Sequence, residues 1–141
     1  MQKSQSQSVK LLVDDREDAK VVQELLILGV DCEVVRLKTG DYVSGDVCIE
    51  RKTIDDLCSS IVDGRIKTQC RRISARFKHG FVLVSGKISE RTADIHEHCI
   101  LGMIASLVIK YGVNVIIVDD DKQLAYLISR ILTKLQEVKQ R

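Results

Sequence analysis

The chain has 141 residues, which is enough for one domain with a real hydrophobic core. Hydrophobic residues make up 45% and charged residues 30%, a balance that is typical of soluble globular proteins, and no apolar run reaches membrane-spanning length. The formal net charge of +2 is small, so a nucleic-acid partner would need locally concentrated cations. Without a signal-peptide pattern either, we expect an intracellular protein with no membrane partner.

The polar residues 1–9 have no apolar pattern and are expected to form a disordered lead-in, followed by a single domain over residues 10–141. Alternating short apolar runs and helical patterns begin after them. The first half of the chain predicts strands at 11–13 and 32–36, a helix at 19–28 that Gly29 ends, and a hairpin of 40–43 and 47–51 around a turn at 44–46.

The second half continues the alternation of helices and strands. Helices are predicted at 53–61, 65–78, 95–111 and 122–138, with strands at 81–85 and 114–118. This order favours an α/β fold with a mixed central β-sheet flanked by helices, whose antiparallel part is the hairpin.

The five cysteines are widely separated, odd in number and contain no C-x-x-C pair. They predict neither a disulfide framework nor a zinc site. We interpret them as small and mostly buried apolar residues in a reducing compartment.

Charged residues at the end of the second hairpin strand suggest a catalytic site. Side chains alternate along a strand, so Glu50 and Lys52 share one face and Arg51 takes the other. An antiparallel partner strand can bring Asp41 beside Glu50. Two carboxylates that hold Mg²⁺, with a lysine that orients the attacking water, suit phosphodiester hydrolysis.

Such a triplet alone is usually solvated surface, but more acidic residues follow the first strand. Asp14 and Glu17 stand just after its buried segment, where the functional loops of a sheet commonly lie. Four acidic positions at strand ends are harder to explain as ordinary solvated surface residues than one triplet is.

Three linked motifs carry a resemblance to a known family. They are Val13-Asp14-Asp15-Arg16-Glu17, then Gly40-Asp41-Tyr42, and then Glu50-Arg51-Lys52 with Asp56 four positions later. Asp63-Gly64-Arg65, with Gln69 four positions after Arg65, extends the match. In this order they resemble the signature of the XPF-type structure-specific endonucleases, and in particular the nuclease domain of archaeal Hef proteins.

The resemblance implies a restriction-endonuclease-like core and cleavage of branched DNA such as 3′ flaps and forks, in DNA repair or replication-fork processing. It implies Asp41 and Glu50 as the main ligands of Mg²⁺, for which Mn²⁺ can substitute, with Asp14 contributing. Glu17 belongs to the acidic cluster and Lys52 is the general-base candidate. Arg16 and Arg51 steer phosphate or brace the carboxylates.

Thr53 and Asp56 open the helix that follows Lys52. Their T-x-x-D spacing is that of a capping box, in which Thr53 caps the first turn and Asp56 reaches back. We therefore assign both to structural support rather than to direct catalysis.

The segment 65–78 carries cations and no acidic residue, with an apolar face at helical spacing. Such a helix suits the DNA backbone, although a solvated face is the alternative. The candidate phosphate-binding side chains there are Arg65, Gln69, Arg71, Arg72 and Arg76.

Partners follow partly from what the chain does not contain. Many members of the resembled family carry a helix-hairpin-helix module that grips duplex DNA, and we find none in this sequence. We expect a homodimer through the apolar C-terminal helices, with a heterologous DNA-binding partner as a second option. The competing functions are a non-catalytic DNA-binding subunit of a nuclease heterodimer and an interaction module whose acids are accidental.

Overall fold

The computed structural model describes residues 9–140, so the predicted disordered lead-in falls almost entirely outside the described residues. Helices and strands alternate along the chain, as the sequence predicts, with boundaries that differ by at most two residues. In chain order they are β1 (Lys10–Asp14), α1 (Ala19–Ile27), β2 (Asp31–Val35), β3 (Tyr42–Ser44), β4 (Val47–Thr53), α2 (Ile54–Asp63), α3 (Arg65–Arg76), β5 (His79–Ser85), α4 (Glu97–Tyr111), β6 (Asn114–Val118) and α5 (Asp121–Lys139).

The described strands form one mixed sheet in the order β2-β1-β3-β4-β5-β6. β1 pairs with β2 in parallel and with β3 antiparallel, while β3 and β4 form the predicted antiparallel hairpin. β4, β5 and β6 run parallel, joined by helical crossovers. The predicted α/β fold with a mixed central sheet is confirmed.

Helices bury both faces of the sheet. One buried cluster contains residues of α1 and α5 together with Val47 and Ile49 of β4. The other contains residues of α2, α3 and α4 together with Cys48 of β4. Because successive side chains of a strand point to opposite faces, β4 contributes to both clusters and is fixed between them.

The start of α2 is capped much as predicted, with one difference. The Thr53 hydroxyl accepts a hydrogen bond from the backbone N–H of Asp56 at 3.1 Å. The Asp56 carboxylate, however, makes no return bond to any of the residues 9–140, so that half of the predicted capping box is wrong. Asp55 carries the tertiary contact instead, because its carboxylate accepts bonds from the backbone N–H and the hydroxyl of Thr92 at 2.9 and 3.0 Å.

All five cysteines are free thiols. Cys48, Cys58 and Cys70 are buried, as expected, whereas Cys32 is half-buried and Cys99 is exposed on α4. In the described part of the chain, no helix combines the length and apolarity that crossing a membrane would require.

Gly40 determines how the chain enters the hairpin. Its φ of +80° lies in the left-handed region, which L side chains rarely adopt. A Cβ atom at this position would collide with the Sγ atom of Cys48, which is fully buried. The residue before Asp41 therefore has to be glycine for both conformational and steric reasons.

We predict that Gly40→Ala lowers the free energy of unfolding more than Gly29→Ala does. Gly29 has a similar φ of +83°, but no described atom lies within 4 Å of a Cβ built there. Both variants bear the left-handed cost of roughly 1–2 kcal/mol, and only Gly40→Ala adds the overpacking cost of about 1–3 kcal/mol.

Urea denaturation of both variants measures the difference. In a Cys48→Ala background the clash is absent. There, Gly40→Ala should lower the free energy of unfolding by little more than Gly29→Ala does in the wild type. Equal destabilisation by the two alanines would contradict the proposed clash.

Candidate active site

Asp41 makes two hydrogen bonds with the backbone of β4, one through its own N–H and one through its carboxylate. Its N–H donates to the carbonyl of Ile49 at 2.8 Å, and its Oδ2 accepts from the backbone N–H of Arg51 at 2.8 Å. These bonds bracket Glu50, so the two carboxylates lie side by side, as the hairpin predicts.

Glu50 and Lys52 project from the same face of β4, as strand alternation predicts. The Lys52 Nζ lies 3.5 Å from the Glu50 Oε2, and the two side chains are only 6% and 12% exposed. Asp41, Glu50 and Lys52 thus form one cluster of two acids and one ammonium group with little contact with solvent.

Burial is the main influence on the titration of the two acids. Burial, together with the negative charges of Glu50 and Glu17, raises the pKa of Asp41 from 3.8 to about 8. Burial also raises the pKa of Glu50, although Lys52 opposes the shift. The protein without a cation therefore holds at least one proton on this pair at neutral pH.

Arg51 projects from the face of β4 opposite to Glu50 and Lys52, and it braces the site. Its Nε donates to the Glu17 Oε1 at 2.8 Å, where the two side chains are 15% and 8% exposed. Its Nη1 lies 3.8 Å from the Asp121 Oδ1 at the start of α5. Of the two roles predicted for Arg51, the contacts support bracing and not phosphate binding.

Asp14 is held by its neighbour Arg16 and by a backbone group from a distant segment. Its two oxygens accept bonds from the Arg16 Nε at 2.8 Å, from the Arg16 Nη2 at 3.0 Å and from the backbone N–H of Leu37 at 2.9 Å. The bond from Arg16 is the main reason that the pKa of Asp14 falls to about 2. Asp14 thus fixes a loop, and Arg16 in turn braces a carboxylate.

The predicted set of three metal ligands is therefore not assembled. Within residues 9–140 no group of three His, Cys, Asp or Glu side chains is arranged to hold one ion. Asp41 and Glu50 remain as a two-carboxylate pair. That pair still fits Mg²⁺, which keeps several waters and needs only one or two carboxylates with substrate phosphate.

A cleft of about 330 Å³ opens over the pair. Its acidic walls are Asp14, Glu17, Asp41 and Glu50, and its other polar lining is Arg16, Lys38, Thr39, Gln69 and Arg72. All four acidic positions predicted from the strand ends therefore reach one cleft, although only two carboxylates are available there for a cation.

The cations of α3 divide between the cleft and the outer surface. Gln69 and Arg72 line the cleft, and the Arg76 Nη1 donates to the Thr39 hydroxyl at its rim at 2.6 Å. Arg65 pairs with Asp63 at 2.8 Å. Arg71 does not line the cleft, because its guanidinium lies over the Tyr111 ring of α4, 5.9 Å from the centroid.

Some lining residues escaped the sequence analysis. Lys38 and Thr39 directly precede Gly40-Asp41, and that adjacency is the signal that could have found them. Gln69, assigned through the resemblance alone, presents a buried Oε1 with no hydrogen-bond partner among residues 9–140. It is a further oxygen acceptor beside the carboxylate pair.

Comparison with known proteins agrees with this architecture. The family model described as the ERCC4 domain matches residues 13–131. The chain belongs to the ERCC4 domain family. The expected XPF-type relationship is thereby confirmed.

Individual relatives match nearly the whole chain. A 3′-flap repair endonuclease Xpf of Saccharolobus solfataricus is 34% identical over 131 residues, covering 91% of this chain and 56% of that protein. A putative ATP-dependent RNA helicase of Methanocaldococcus jannaschii is 32% identical over 129 residues, again 91% of this chain but 16% of that protein. The chain thus spans less than two thirds of either relative.

Solved structures confirm the fold. XPF from Aeropyrum pernix superimposes with a TM-score of 0.84 at 31% identity, covering 91% of this chain and 65% of that one. XPF from the same organism in complex with DNA gives a TM-score of 0.84 at 30% identity, with 93% and 66% covered. This ERCC4 domain therefore has the α/β core of the XPF nucleases.

The raised pKa of Asp41 predicts a pH-dependent stability in the absence of divalent cations. Unfolding returns this carboxyl to its ordinary pKa of 3.8, so between about pH 4 and 8 unfolding releases a proton. The protonated form of Asp41 contributes its full stabilisation below about pH 4. This contribution declines as the pH rises and is lost once the pH passes about 8. The slope is about 1.4 kcal/mol per pH unit for one proton.

Asp41→Asn cannot release this proton, so its free energy of unfolding should fall less than that of the wild type between pH 5 and 8. Urea denaturation in EDTA at several pH values measures both slopes, which should converge above pH 9. Parallel slopes throughout the range would show that Asp41 titrates normally.

Proposed function

We propose that this ERCC4 domain is a metal-dependent, structure-specific DNA endonuclease that cleaves phosphodiester bonds near branch points such as 3′ flaps and forks, in DNA repair or fork processing. The observation that carries the proposal is the cluster of Asp41, Glu50 and Lys52, whose two carboxylates line a cleft bordered by Arg72. The name of the S. solfataricus relative and the DNA complex of the A. pernix protein support it. A DNA substrate would place the protein inside the cell.

Asp41 and Glu50 are the residues that would hold Mg²⁺, and Mn²⁺ should substitute because it also accepts oxygen ligands. A bound cation would supply charge that polarises the scissile phosphate and would make a coordinated water more acidic. The proton held by the acid pair has to leave before both carboxylates can act as ligands, which ties cation binding to pH.

The other residues of the site have separate tasks in this proposal. Lys52, fixed beside Glu50, orients the attacking water or offsets charge on the transition state. Arg72 binds substrate phosphate at the cleft wall. Arg51 holds Asp41 in place through its backbone N–H and is anchored by Glu17 behind the strand.

A non-catalytic DNA-binding subunit is the second candidate function. Such a subunit needs the cations but has no need for two repelling acids and a buried lysine at one point. The burial and the repulsion that raise the pKa of Asp41 are an energetic cost with no benefit to binding anionic DNA. We therefore favour the enzyme, and a cleavage assay separates the two.

We predict that purified protein cuts labelled 3′-flap and fork DNA in Mg²⁺ and not in EDTA. Glu50→Gln or Asp41→Asn should abolish cleavage, and Lys52→Ala should slow it by about 10²–10⁴. Asp56→Asn is the matched control, since that carboxylate is exposed and makes no hydrogen bond with residues 9–140.

Each variant is compared at equal DNA occupancy, determined by fluorescence anisotropy, so that lost binding is not scored as lost chemistry. Full activity of Glu50→Gln would refute the site assignment. DNA binding by the wild type without cleavage in Mg²⁺ or Mn²⁺ would favour the non-catalytic subunit.

We also propose a homodimer through the C-terminal helices. α4 exposes Leu101, Val108 and Ile109, the last at 81%, and several large apolar side chains exposed on one helix mark a candidate interaction surface. β6, beside it, is an edge strand of the sheet with half-buried residues. A second copy of the chain covers both features in one two-fold contact.

Ile109→Glu should convert the dimer to a monomer of 15.9 kDa in sedimentation experiments. Ile27→Glu is the matched control, because Ile27 on α1 is similarly exposed at 77% but lies on another surface. A wild-type monomer at tens of micromolar would refute the dimer, and only in that case would a heterologous partner become the better explanation.

A further inference from the structure

The cations of α3 are exceptional in having almost no carboxylate partner. The helix carries five cations and no acidic residue in twelve positions. Only Arg65 forms an ion pair with another of the residues 9–140. Lys67 with Arg71 and Arg72 with Arg76 are like-charge pairs at i and i+4, a spacing that destabilises a helix.

These cations occupy two different faces of the helix. Arg72 lies at the cleft and Arg76 at its rim, which we call the cleft face of α3. Lys67 and Arg71 share a face rotated by about 100–140° from Arg72, at 100° per residue, and we call it the outer face.

The outer face is held toward α4. Arg71 stacks over Tyr111, which limits the positions that its guanidinium can take while leaving it exposed. The exposed Lys110 precedes Tyr111 in the chain and adds a third cation to this region. The outer face is therefore a cationic surface outside the cleft.

A straight duplex laid along the cleft face contacts mainly the cations of that face. A helix with its side chains is about 10–12 Å across, so phosphates that contact the cleft face leave the cations of the other side free. A second DNA segment diverging from the first would pass along the outer face. Two separated rows of cations on one helix fit two arms of a branched backbone.

We propose that α3 lies at the branch point, with its cleft face on the duplex to be cut and its outer face, Lys67 and Arg71, on the phosphates of a second arm. The inference rests on the proposed function and adds the surface that distinguishes branched from linear DNA. The contacts are to phosphates, so they read the geometry of the branch and not its sequence.

The experiment measures the salt dependence of binding, by fluorescence anisotropy in EDTA, for a three-way junction and for a linear duplex of equal base-pair number. The test variant is Lys67→Ala with Arg71→Ala. The first control is Lys20→Ala with Lys122→Ala, which removes the same charge from exposed positions elsewhere. The second control is Lys67→Arg with Arg71→Lys, which keeps the charge.

We expect the alanine pair to reduce the salt slope for the junction by roughly 1.8, about 0.9 for each lost phosphate contact, and to leave the slope for the linear duplex unchanged. Arg72→Ala, at the cleft, should lower the slope by about 0.9 for both DNAs. Both control pairs should behave like the wild type.

An equal loss on both DNAs, or no loss on either, overturns the role of the outer face. The proposed function is judged separately by the Mg²⁺-dependent cleavage of the wild type. Cleavage with no junction-specific loss in the alanine pair would therefore reject this inference and leave the endonuclease assignment standing.

Discussion

Two carboxyl groups placed side by side with little access to water are the constraint around which this domain is organised. Burial penalises the charged form of Asp41 and the neighbouring charge of Glu50 adds to that penalty, so the pKa of Asp41 rises to about 8. A chain free to relax would separate them. The hairpin prevents this, because Asp41 is bonded to the backbone of both neighbours of Glu50.

The surrounding ion pairs and hydrogen bonds hold this arrangement in place. Arg51 is locked to Glu17, and Asp14 is locked to Arg16 and to the backbone of Leu37. The fully buried Tyr42, next to Asp41 in the chain, packs on the face of the sheet that α1 and α5 cover. The acidic residues of the signature thus divide into two that face the chemistry and two whose arginine partners make the scaffold rigid. A pre-set site of this kind reduces the reorganisation needed when cation and substrate arrive.

Much of this could be predicted from the sequence because it depends on short-range rules. The turn at 44–46 fixes the pairing of β3 with β4, and strand alternation then places Glu50 with Lys52 and apart from Arg51. The core-facing stripe of α3 was also readable from its spacing. Element order and the mixed sheet followed from these local patterns.

The errors come from contacts that no local rule determines. Asp14 was expected to face a cation, but the loop after β1 turns Arg16 back onto it and brings Leu37 from a distant segment. Spacing alone could not tell that Arg72, and not its neighbour Arg71, lines the cleft, because the rotation of α3 about its axis decides this. Asp55, and not Asp56, makes the long-range contact, because Thr92, which is distant in the chain, lies beside the Asp55 carboxylate.

The thiol beneath Gly40 has a practical consequence for chemical labelling. Burial, with Glu50 and Asp41 nearby, raises the pKa of Cys48 to about 12, and burial does the same for Cys70. Thiolates are the species that react with maleimides and oxidants, so these two groups are shielded twice, by packing and by protonation. Cys99, exposed at the start of α4, is the accessible thiol of the described chain. A fluorophore or spin label should therefore attach there without disturbing the cleft, and no cysteine needs to be engineered.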